Sequence, residues 1–252
     1  MDGLQRLREK LANREKVYST ILCHIAYTGL AELYKNCGMD FILADMEHGS
    51  FCPENIGDLA YACRMNDIPL IARVQDCEYH CISKPIDMGC DGVLIPRTES
   101  LEQVETAIRS LRFPPVGKKG AGGRALLRKG ESVGEFNKNR LLILQIESVK
   151  GVDLLDSMLS RYGDEIAAIL VGPSDFSLAM GIGLTVNDEM MHHLRRLIGI
   201  CAKHQKSCGI FMGGDADIRK WHEEGMNLFW VSSDLGMLAQ EVSRTRSVIE
   251  SL

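Results

Sequence analysis

Eight short apolar runs recur along the chain, and an amphipathic stretch of about 10–18 residues follows each of them. Each run is apolar throughout, which is typical of strands that are buried on both faces of a parallel sheet. The runs occupy residues 17–25, 40–45, 69–73, 91–95, 141–147, 166–171, 207–211 and 227–231. A strand followed by a helix, repeated eight times, predicts an α/β fold of the (β/α)8 TIM barrel type.

The length of the chain and the segments outside this repeat predict one barrel domain over residues 1–252. A barrel of this kind takes about 250 residues, and the chain has 252. Leu4, Leu7 and Leu11 share one helical face, so residues 3–16 are predicted to form a helix before the first strand. Residues 112–140 are rich in glycine and basic residues and carry no clear strand, and we interpret them as a long loop.

Charge and cysteine content narrow the class of protein. The chain has 29 basic and 34 acidic residues and a net charge of −5, whereas a protein that binds nucleic acid usually has a concentrated basic face. The charge balance therefore predicts no nucleic-acid partner. No run of about 20 apolar residues is present, so a membrane is not expected as a partner either. Nine cysteines without a CxxC pair, and a charged N-terminus without an apolar signal segment, predict reduced thiols and a cytoplasmic location.

The barrel prediction brings the residues at the strand ends to one rim. Active sites of this fold lie where the strands end, at the C-terminal face of the barrel. Acids, arginines and a histidine follow several of the predicted strands and therefore converge. The residues at these strand ends are Asp45, Glu47, His48, Arg73, Arg97, Gln145, Glu147, Gly172, Pro173, Ser174, Asp175, Met212 and Asp234.

Glu147 and Asp175 end adjacent strands and are candidate metal ligands. Two carboxylates without a nearby thiol suit a hard divalent ion such as Mg²⁺ or Mn²⁺. Two protein ligands leave coordination positions for a 2-oxo acid, which supplies a carboxylate oxygen and a keto oxygen. The alternative is that either acid caps the helix that follows it, and Asp175 stands at the start of a helical segment.

His48 and Arg73 are the candidate catalytic residues. The ordinary pKa of a histidine lies near working pH, so His48 suits a general base, although an exposed or structural histidine is the alternative. Arg73 follows a buried run and needs an anionic partner, which is either a structural ion pair or a developing enolate. Asp45 is in a position to orient one of these groups.

Six segments of the chain carry a resemblance to a known family. They are DFILADMEHG (40–49), IARV (71–74), DMGCDGVLIP (87–96), RFPPVGKKG (112–120), LLILQIES (141–148) and ILVGPSDFSLAMG (169–181). In this order and spacing they resemble the HpcH/HpaI aldolases, which are metal-dependent (class II) pyruvate aldolases of the phosphoenolpyruvate/pyruvate barrel superfamily. The resemblance implies a TIM barrel that reversibly cleaves a 4-hydroxy-2-oxo acid to pyruvate and an aldehyde through a metal-stabilised enolate.

The resemblance also implies roles for individual residues. Glu147 and Asp175 correspond to the ligands of a divalent ion (Mg²⁺, Mn²⁺ or Co²⁺), and Arg73 to the arginine at the keto oxygen. His48 corresponds to the base, acting through a water molecule, and Asp87 to the acid that pairs with it. The remaining positions correspond to substrate contacts: Asp45, Gln145, Gly172, Pro173 and Ser174, with Met212 also at the rim.

Asp87 and the oligomeric state are linked. Asp87 ends a helix that leads into the fourth strand, so it lies at the opposite end of the barrel from His48. Their pairing therefore requires a neighbouring subunit. The resemblance implies such an assembly, a homo-oligomer of the hexamer or trimer type.

Three hypotheses about function remain at this stage. The first is the pyruvate aldolase. Arg97, where many aldolases have an apolar residue, and Arg124 in the long loop favour an acceptor with more carboxylates. The second is therefore condensation of an acetyl thioester with oxaloacetate to citrate, as in a siderophore-type subgroup of the fold. The third is a barrel that binds an oxo acid without turnover.

Overall fold

The computed structural model describes residues 2–123 and 127–252, and its centre is a closed barrel of eight parallel strands. The strands pair in sequence order, and the last pairs with the first. They are β1 (Val17–Leu22), β2 (Phe41–Asp45), β3 (Leu70–Arg73), β4 (Gly92–Ile95), β5 (Leu141–Ile146), β6 (Ala168–Val171), β7 (Ser207–Met212) and β8 (Leu228–Ser233). The predicted (β/α)8 TIM barrel is confirmed.

Helices surround the barrel, and each of the eight amphipathic stretches contains one. In the described residues they are α1 (Gly3–Ala12), α2 (Leu30–Asn36), α3 (Pro53–Met65), α4 (Tyr79–Met88), α5 (Leu101–Leu111), α6 (Val133–Asn139), α7 (Val149–Tyr162), α8 (Pro173–Ala179), α9 (Asp188–Lys203), α10 (Asp215–Glu223) and α11 (Asp234–Glu250). The predicted N-terminal helix is α1. In the described part of the chain, no helix is long and apolar enough to cross a bilayer.

The buried side chains form two layers that follow the alternation of the strands. Phe41 and Leu43 of β2 point into the barrel, while Ile42 and Ala44 face the surrounding helices. The leucines of α1 join the inner layer and close the end where the strands begin. Burial of each of the phenylalanine, leucine and isoleucine side chains contributes about 1.5–3 kcal/mol. Because inward positions alternate, Asp45 extends the inner set to the opposite end of β2.

The segment 112–140 is not a loop throughout, which corrects the sequence interpretation. Residues Val133–Asn139 form α6, and a capping box fixes its start. The Ser132 hydroxyl accepts from the Glu135 N–H at 3.2 Å, and the Glu135 carboxylate accepts from the Ser132 N–H at 2.8 Å. The Ser-x-x-Glu spacing is a sequence signal for a helix start. Arg124 lies outside the described residues.

Candidate active site

Asp45 and Arg73 form a buried ion pair at the ends of two neighbouring strands. They are direct partners in the register of β2 and β3. Arg73 Nε donates to Asp45 Oδ1 at 2.8 Å, and Arg73 Nη2 donates to Asp45 Oδ2 at 2.6 Å. Asp45 Oδ1 also accepts from the backbone N–H groups of Glu47 at 3.0 Å and His48 at 3.3 Å. This geometry favours a role for Asp45 in orienting Arg73 and the following turn.

Glu47 joins this network, although the sequence reasoning gave it no role. Its side chain is only 6% exposed, and its carboxylate lies 3.5 Å from Arg73 Nη1. The same carboxylate forms an ion pair with Arg97 Nη1. Burial raises the pKa of Glu47 above its usual value, although both arginines act to lower it. The positive charge of Arg97 is thus balanced within the protein, which weakens the inference that Arg97 is free to meet an acceptor carboxylate.

Glu147 is held at the rim by two hydrogen bonds. Its Oε1 accepts from the backbone N–H of Arg97 at 2.8 Å, and its Oε2 accepts from Gln145 Nε2 at 2.7 Å. Gly172 lies against the same carboxylate, and a Cβ at this position would meet Glu147 Oε2 at 2.3 Å. Burial and the negative charge of Asp175 raise the pKa of Glu147 to about 7, although the hydrogen bonds from Arg97 and Gln145 act to lower it. The carboxylates of Glu147 and Asp175 therefore repel each other within the site.

Neither acid caps a helix, so that alternative is wrong. Ser148 caps α7 by accepting from the Gly151 N–H, and Gly172 is the N-cap of α8 without a side-chain hydrogen bond. Asp175 lies exposed in the first turn of α8.

The donor set fits a hard divalent cation. A cation of this kind would offset the burial and the repulsion by Asp175, which both raise the pKa of Glu147. In the described residues, Gln145 Oε1 is buried and has no hydrogen-bond partner. Carboxylate and amide oxygens are the ligands that Mg²⁺ and Mn²⁺ prefer.

His48 and Asp87 are separated within one chain. The His48 side chain is 62% exposed at the rim, and its Nε2 lies 3.8 Å from Glu47 Oε1. Asp87 lies at the end of α4, where it forms an ion pair with the fully buried Lys119 and borders a different cavity. The expectation that these two residues do not meet within one subunit agrees with this arrangement.

Met212 does not contact the site, contrary to the sequence prediction. β7 continues through Met212, and the alternation of the strand turns this side chain outward into the core beneath the helices, where it is fully buried. Phe211 points inward instead and packs edge-on against Trp230, with ring centroids 5.4 Å apart. The Trp230 ring in turn lies 5.9 Å from the Arg73 guanidinium carbon. These two aromatic residues were missed because neither is polar.

A cleft of about 250 Å³ opens between these groups at the C-terminal face of the barrel. It brings together the predicted residues His48, Arg73, Gln145, Gly172, Pro173, Ser174 and Asp175 with Ile21, Cys23, Phe211, Trp230 and Ser233. Arg97 and Glu147 adjoin the cleft, because Arg97 holds Glu147 and Glu147 contacts Gln145. Met212 and Asp87 are not part of it.

Cys23, His24 and Asp234 form a second cluster with metal-ligating atoms within 4.8 Å of one another. Asp234 Oδ2 accepts from three backbone N–H groups, those of residues 23–25, at 2.7–3.2 Å. Burial raises the pKa of the Cys23 thiol to about 12, so a thiolate is disfavoured there. The cluster is therefore a structural clamp between β8 and the segment after β1.

A family model and known proteins of related sequence place the chain among aldolases. The model of the HpcH/HpaI aldolase/citrate lyase family matches residues 22–240. A 5-keto-4-deoxy-D-glucarate aldolase of Salmonella paratyphi C is 31% identical over 204 residues, which is 79% of each chain. A hydroxypyruvate/pyruvate aldolase of Roseobacter denitrificans is 27% identical over 246 residues, which is 93% of each chain.

Solved structures share the fold of this chain. An HpcH/HpaI aldolase from Desulfitobacterium hafniense superposes with a TM-score of 0.89 at 24% identity, covering 98% of this chain and 97% of the other. The citrate synthase SbnG superposes with a TM-score of 0.84 at 26% identity, covering 97% of both chains. On the strength of the family match and the aldolase relatives, this chain belongs to the HpcH/HpaI aldolase/citrate lyase family and is a carbon–carbon lyase.

Proposed function

We propose that this enzyme is a metal-dependent aldolase that reversibly cleaves a 4-hydroxy-2-oxo acid to pyruvate and an aldehyde. The observation that carries the proposal is the convergence of Arg73, His48 and the Gln145–Glu147 pair on one cleft that also contains Asp175. The guanidinium of Arg73, the exposed imidazole of His48 and the side-chain oxygens of Gln145, Glu147 and Asp175 match the needs of enolate chemistry.

The substrate would bind with its oxo acid end in the depth of the cleft. Its carboxylate would lie at the Gly172–Asp175 turn, where the first N–H groups of α8 have no acceptor within the helix. Its keto oxygen would face Arg73, whose guanidinium Asp45 holds in a fixed orientation. The aromatic rings of Phe211 and Trp230 would exclude water from the barrel side of the substrate.

Glu147 and Asp175 would hold a divalent ion, Mg²⁺ or Mn²⁺ with Co²⁺ also compatible. When bound, such an ion polarises the keto group as a Lewis acid. The hydrogen bonds from Arg97 N–H and Gln145 Nε2 fix Glu147 in one orientation, as outer partners of metal ligands do.

His48 would move the proton. In the cleavage direction the 4-hydroxyl gives its proton to His48 through a water molecule. The C3–C4 bond then breaks, and its electron pair is delocalised onto the keto oxygen, where Arg73 stabilises the negative charge. The C4 fragment leaves as the aldehyde, and His48 returns a proton to C3 through a water molecule. In the condensation direction His48 removes that C3 proton. The exposure of His48 gives its ring the freedom to serve both directions.

Small-molecule oxo acids and aldehydes are the proposed substrates, in keeping with the names of the relatives from Salmonella paratyphi C and Roseobacter denitrificans. The second candidate, citrate formation from an acetyl thioester and oxaloacetate, draws on the structural likeness to SbnG. The pairing of Arg97 with Glu47 argues for the aldolase, because it leaves Arg97 with a balanced charge.

We also propose that the enzyme is a homo-oligomer, and α11 supports this. Only Asp234 of its 17 residues is buried, while Leu238, Val242 and Ile249 are 54%, 69% and 64% exposed. A groove of about 450 Å³ lies beside Phe229 of β8, with Ile218 and Phe229 as the apolar residues of a lining that also includes Lys16, Asp215, Arg219 and His222. A second copy that lays its α11 in this groove would bury both surfaces. Such an assembly is also what Asp87 of one copy needs to reach His48 of another.

The decisive experiment follows the methyl signal of pyruvate by NMR in D₂O, with and without Mg²⁺ or Mn²⁺. Metal-dependent loss of the signal would support enolate formation without knowledge of the aldehyde. If the signal persists with metal bound, and citrate forms from acetyl-CoA and oxaloacetate, the second candidate replaces the first. If neither occurs while the oxo acid binds, the non-catalytic hypothesis is restored.

A further inference from the structure

A second cleft, of about 160 Å³, lies at the other end of the barrel. Leu141 begins β5, Ala167 precedes β6 and Lys206 precedes β7, and all three line it. The cleft therefore opens where the strands begin, whereas the candidate active site opens where they end. We propose that this cleft binds a compact anion with two negative charges, of the inorganic phosphate or short dicarboxylate class.

The lining of the cleft is strongly cationic. Two acids, Asp164 and Glu165, stand against five basic residues there. The basic residues are Arg8, Arg112, Lys138, Arg140 and Lys206. The chain as a whole has a net charge of −5, so a positive cleft is not a consequence of composition. A concave site lined by one sign of charge attracts ions of the opposite sign.

Internal ion pairs account for only part of this charge. Arg112 Nε lies 2.9 Å from Glu165 Oε2, and Arg140 Nη2 lies 2.9 Å from Glu131 Oε2. Arg8, by contrast, donates to the neutral side-chain oxygen of Asn139 at 2.8 Å.

Lys138 and Lys206 are two further basic residues of the cleft whose charge is not balanced by an ion pair. Among the described residues, neither has a carboxylate within 4.0 Å. Asp164, the remaining acid of the lining, is exposed and forms no ion pair with a described residue. An anion that enters the cleft would therefore meet three cations without a carboxylate partner.

The position of Lys206 strengthens the inference. Its side chain is half-buried, and burial lowers its pKa against the opposing effect of Asp164. An ammonium group that has lost hydration without gaining an ion-pair partner is costly, and an anion in the cleft would offset that cost. The cleft has a volume of about 160 Å³, which leaves room for an ion of a few heavy atoms.

The test measures binding to the metal-free full chain, without any catalytic assay. Thermal unfolding and titration calorimetry would be recorded with sodium phosphate, with sodium malonate and with sodium chloride at matched ionic strength. We expect saturable stabilisation by phosphate or malonate beyond that of chloride. The tighter of the two identifies the source of the anion, and stabilisation no larger than that of chloride overturns the proposal.

Three substitutions locate the binding. Lys206→Met keeps the aliphatic stem of the side chain and should weaken the affinity for the anion about tenfold. Lys138→Met, at an exposed position, should also weaken this affinity. Lys203→Met is the matched control, because Lys203 ends α9 three residues before Lys206, is 63% exposed and pairs with Asp156 at 2.7 Å away from the cleft. Its affinity should equal that of the wild type. Unchanged affinity in both Lys206→Met and Lys138→Met would refute the site.

Discussion

Arg73 places two nitrogens on the two oxygens of Asp45, at 2.8 and 2.6 Å, while its third nitrogen lies 3.5 Å from Glu47. A guanidinium that is bound on both edges has one remaining direction in which to meet a substrate. The pair lies at the ends of β2 and β3, so the register of the sheet determines the orientation of the candidate enolate-stabilising group. Asp45 therefore joins the ends of β2 and β3 and also orients the side chain that is proposed to stabilise the enolate.

Asp45→Asn should destabilise the protein in a pH-dependent way. Burial alone would raise the pKa of Asp45, but the hydrogen bonds and charge of Arg73 outweigh it and hold the pKa below its usual value. The ionised pair therefore contributes stability above the unfolded-state pKa, near 4, and loses it as the pH falls through the lower folded-state value. We expect a loss of about 2–4 kcal/mol at pH 7 that shrinks below about pH 4, measured by urea unfolding. Asp58→Asn, at an exposed position, is the control. A pH-independent difference would contradict the account.

Glu147→Gln should abolish stabilisation by metal. Wild-type protein in Mg²⁺ or Mn²⁺ is expected to unfold at a higher temperature than metal-free protein, because an ion that binds only the folded state stabilises it. Glutamine retains the shape of the side chain and its hydrogen bond from Arg97 but removes the ligand charge. Differential scanning fluorimetry across a metal titration measures the shift. A variant that responds like the wild type would exclude Glu147 as a ligand.

Gly172→Ala should impair the site while the fold persists. The added Cβ would meet Glu147 Oε2 at 2.3 Å and Gln145 Nε2 at 2.6 Å, so the carboxylate must move. We expect metal affinity to fall at least tenfold, with a stability loss of about 1–3 kcal/mol from overpacking. Gly199→Ala is the matched control, because its Cβ would have no neighbour within 4 Å and the position is helical. That variant should keep its affinity and gain up to about 1 kcal/mol of stability. Equal affinities in both variants would count against this packing argument.

His48→Ala should stop proton exchange at the pyruvate methyl group without unfolding the protein. The side chain is 62% exposed, so stability should change by no more than about 0.5 kcal/mol. Loss of a general base typically costs a factor of about 100 or more, which the NMR exchange rate measures directly. His192→Ala, at an exposed position on α9, should exchange at the wild-type rate. Exchange that survives in His48→Ala would assign the base to another residue.

Leu238→Glu should dissociate the proposed homo-oligomer. A charge in the exposed apolar stripe of α11 would have to be buried against the second copy, at a cost that the contact does not repay. Size-exclusion chromatography with light scattering should report a smaller particle than the wild type. Met65→Glu, at a 67% exposed apolar residue of α3, is the control and should keep the wild-type mass. A wild-type protein that is already monomeric would remove the basis for the prediction.

The sequence by itself was sufficient for the barrel and for the rim on which the candidate residues lie. Continuous apolar runs can be buried only in a sheet covered on both faces, and strand ends in such a sheet meet at one edge. A short-range signal for α6 is also present in the sequence, since Ser132 and Glu135 stand at capping-box spacing, so the interpretation of residues 112–140 as a loop was wrong for this part. The error at Met212 arose because the predicted strand ended one residue early, and the direction of a side chain at a strand end depends on that count.

Only the tertiary structure decided how the charged groups pair. The sequence offered Arg73 either a structural partner or an enolate, and the folded chain gives it Asp45 and Glu47 while leaving one side toward the cleft. It also gave Arg97 to Glu47, and Asp87 to Lys119 rather than to His48. The periodicity of the sequence predicts which residues of a segment are buried. Ion pairing depends instead on desolvation and on the distances between segments that are far apart in the chain, and these distances are set only when the barrel closes.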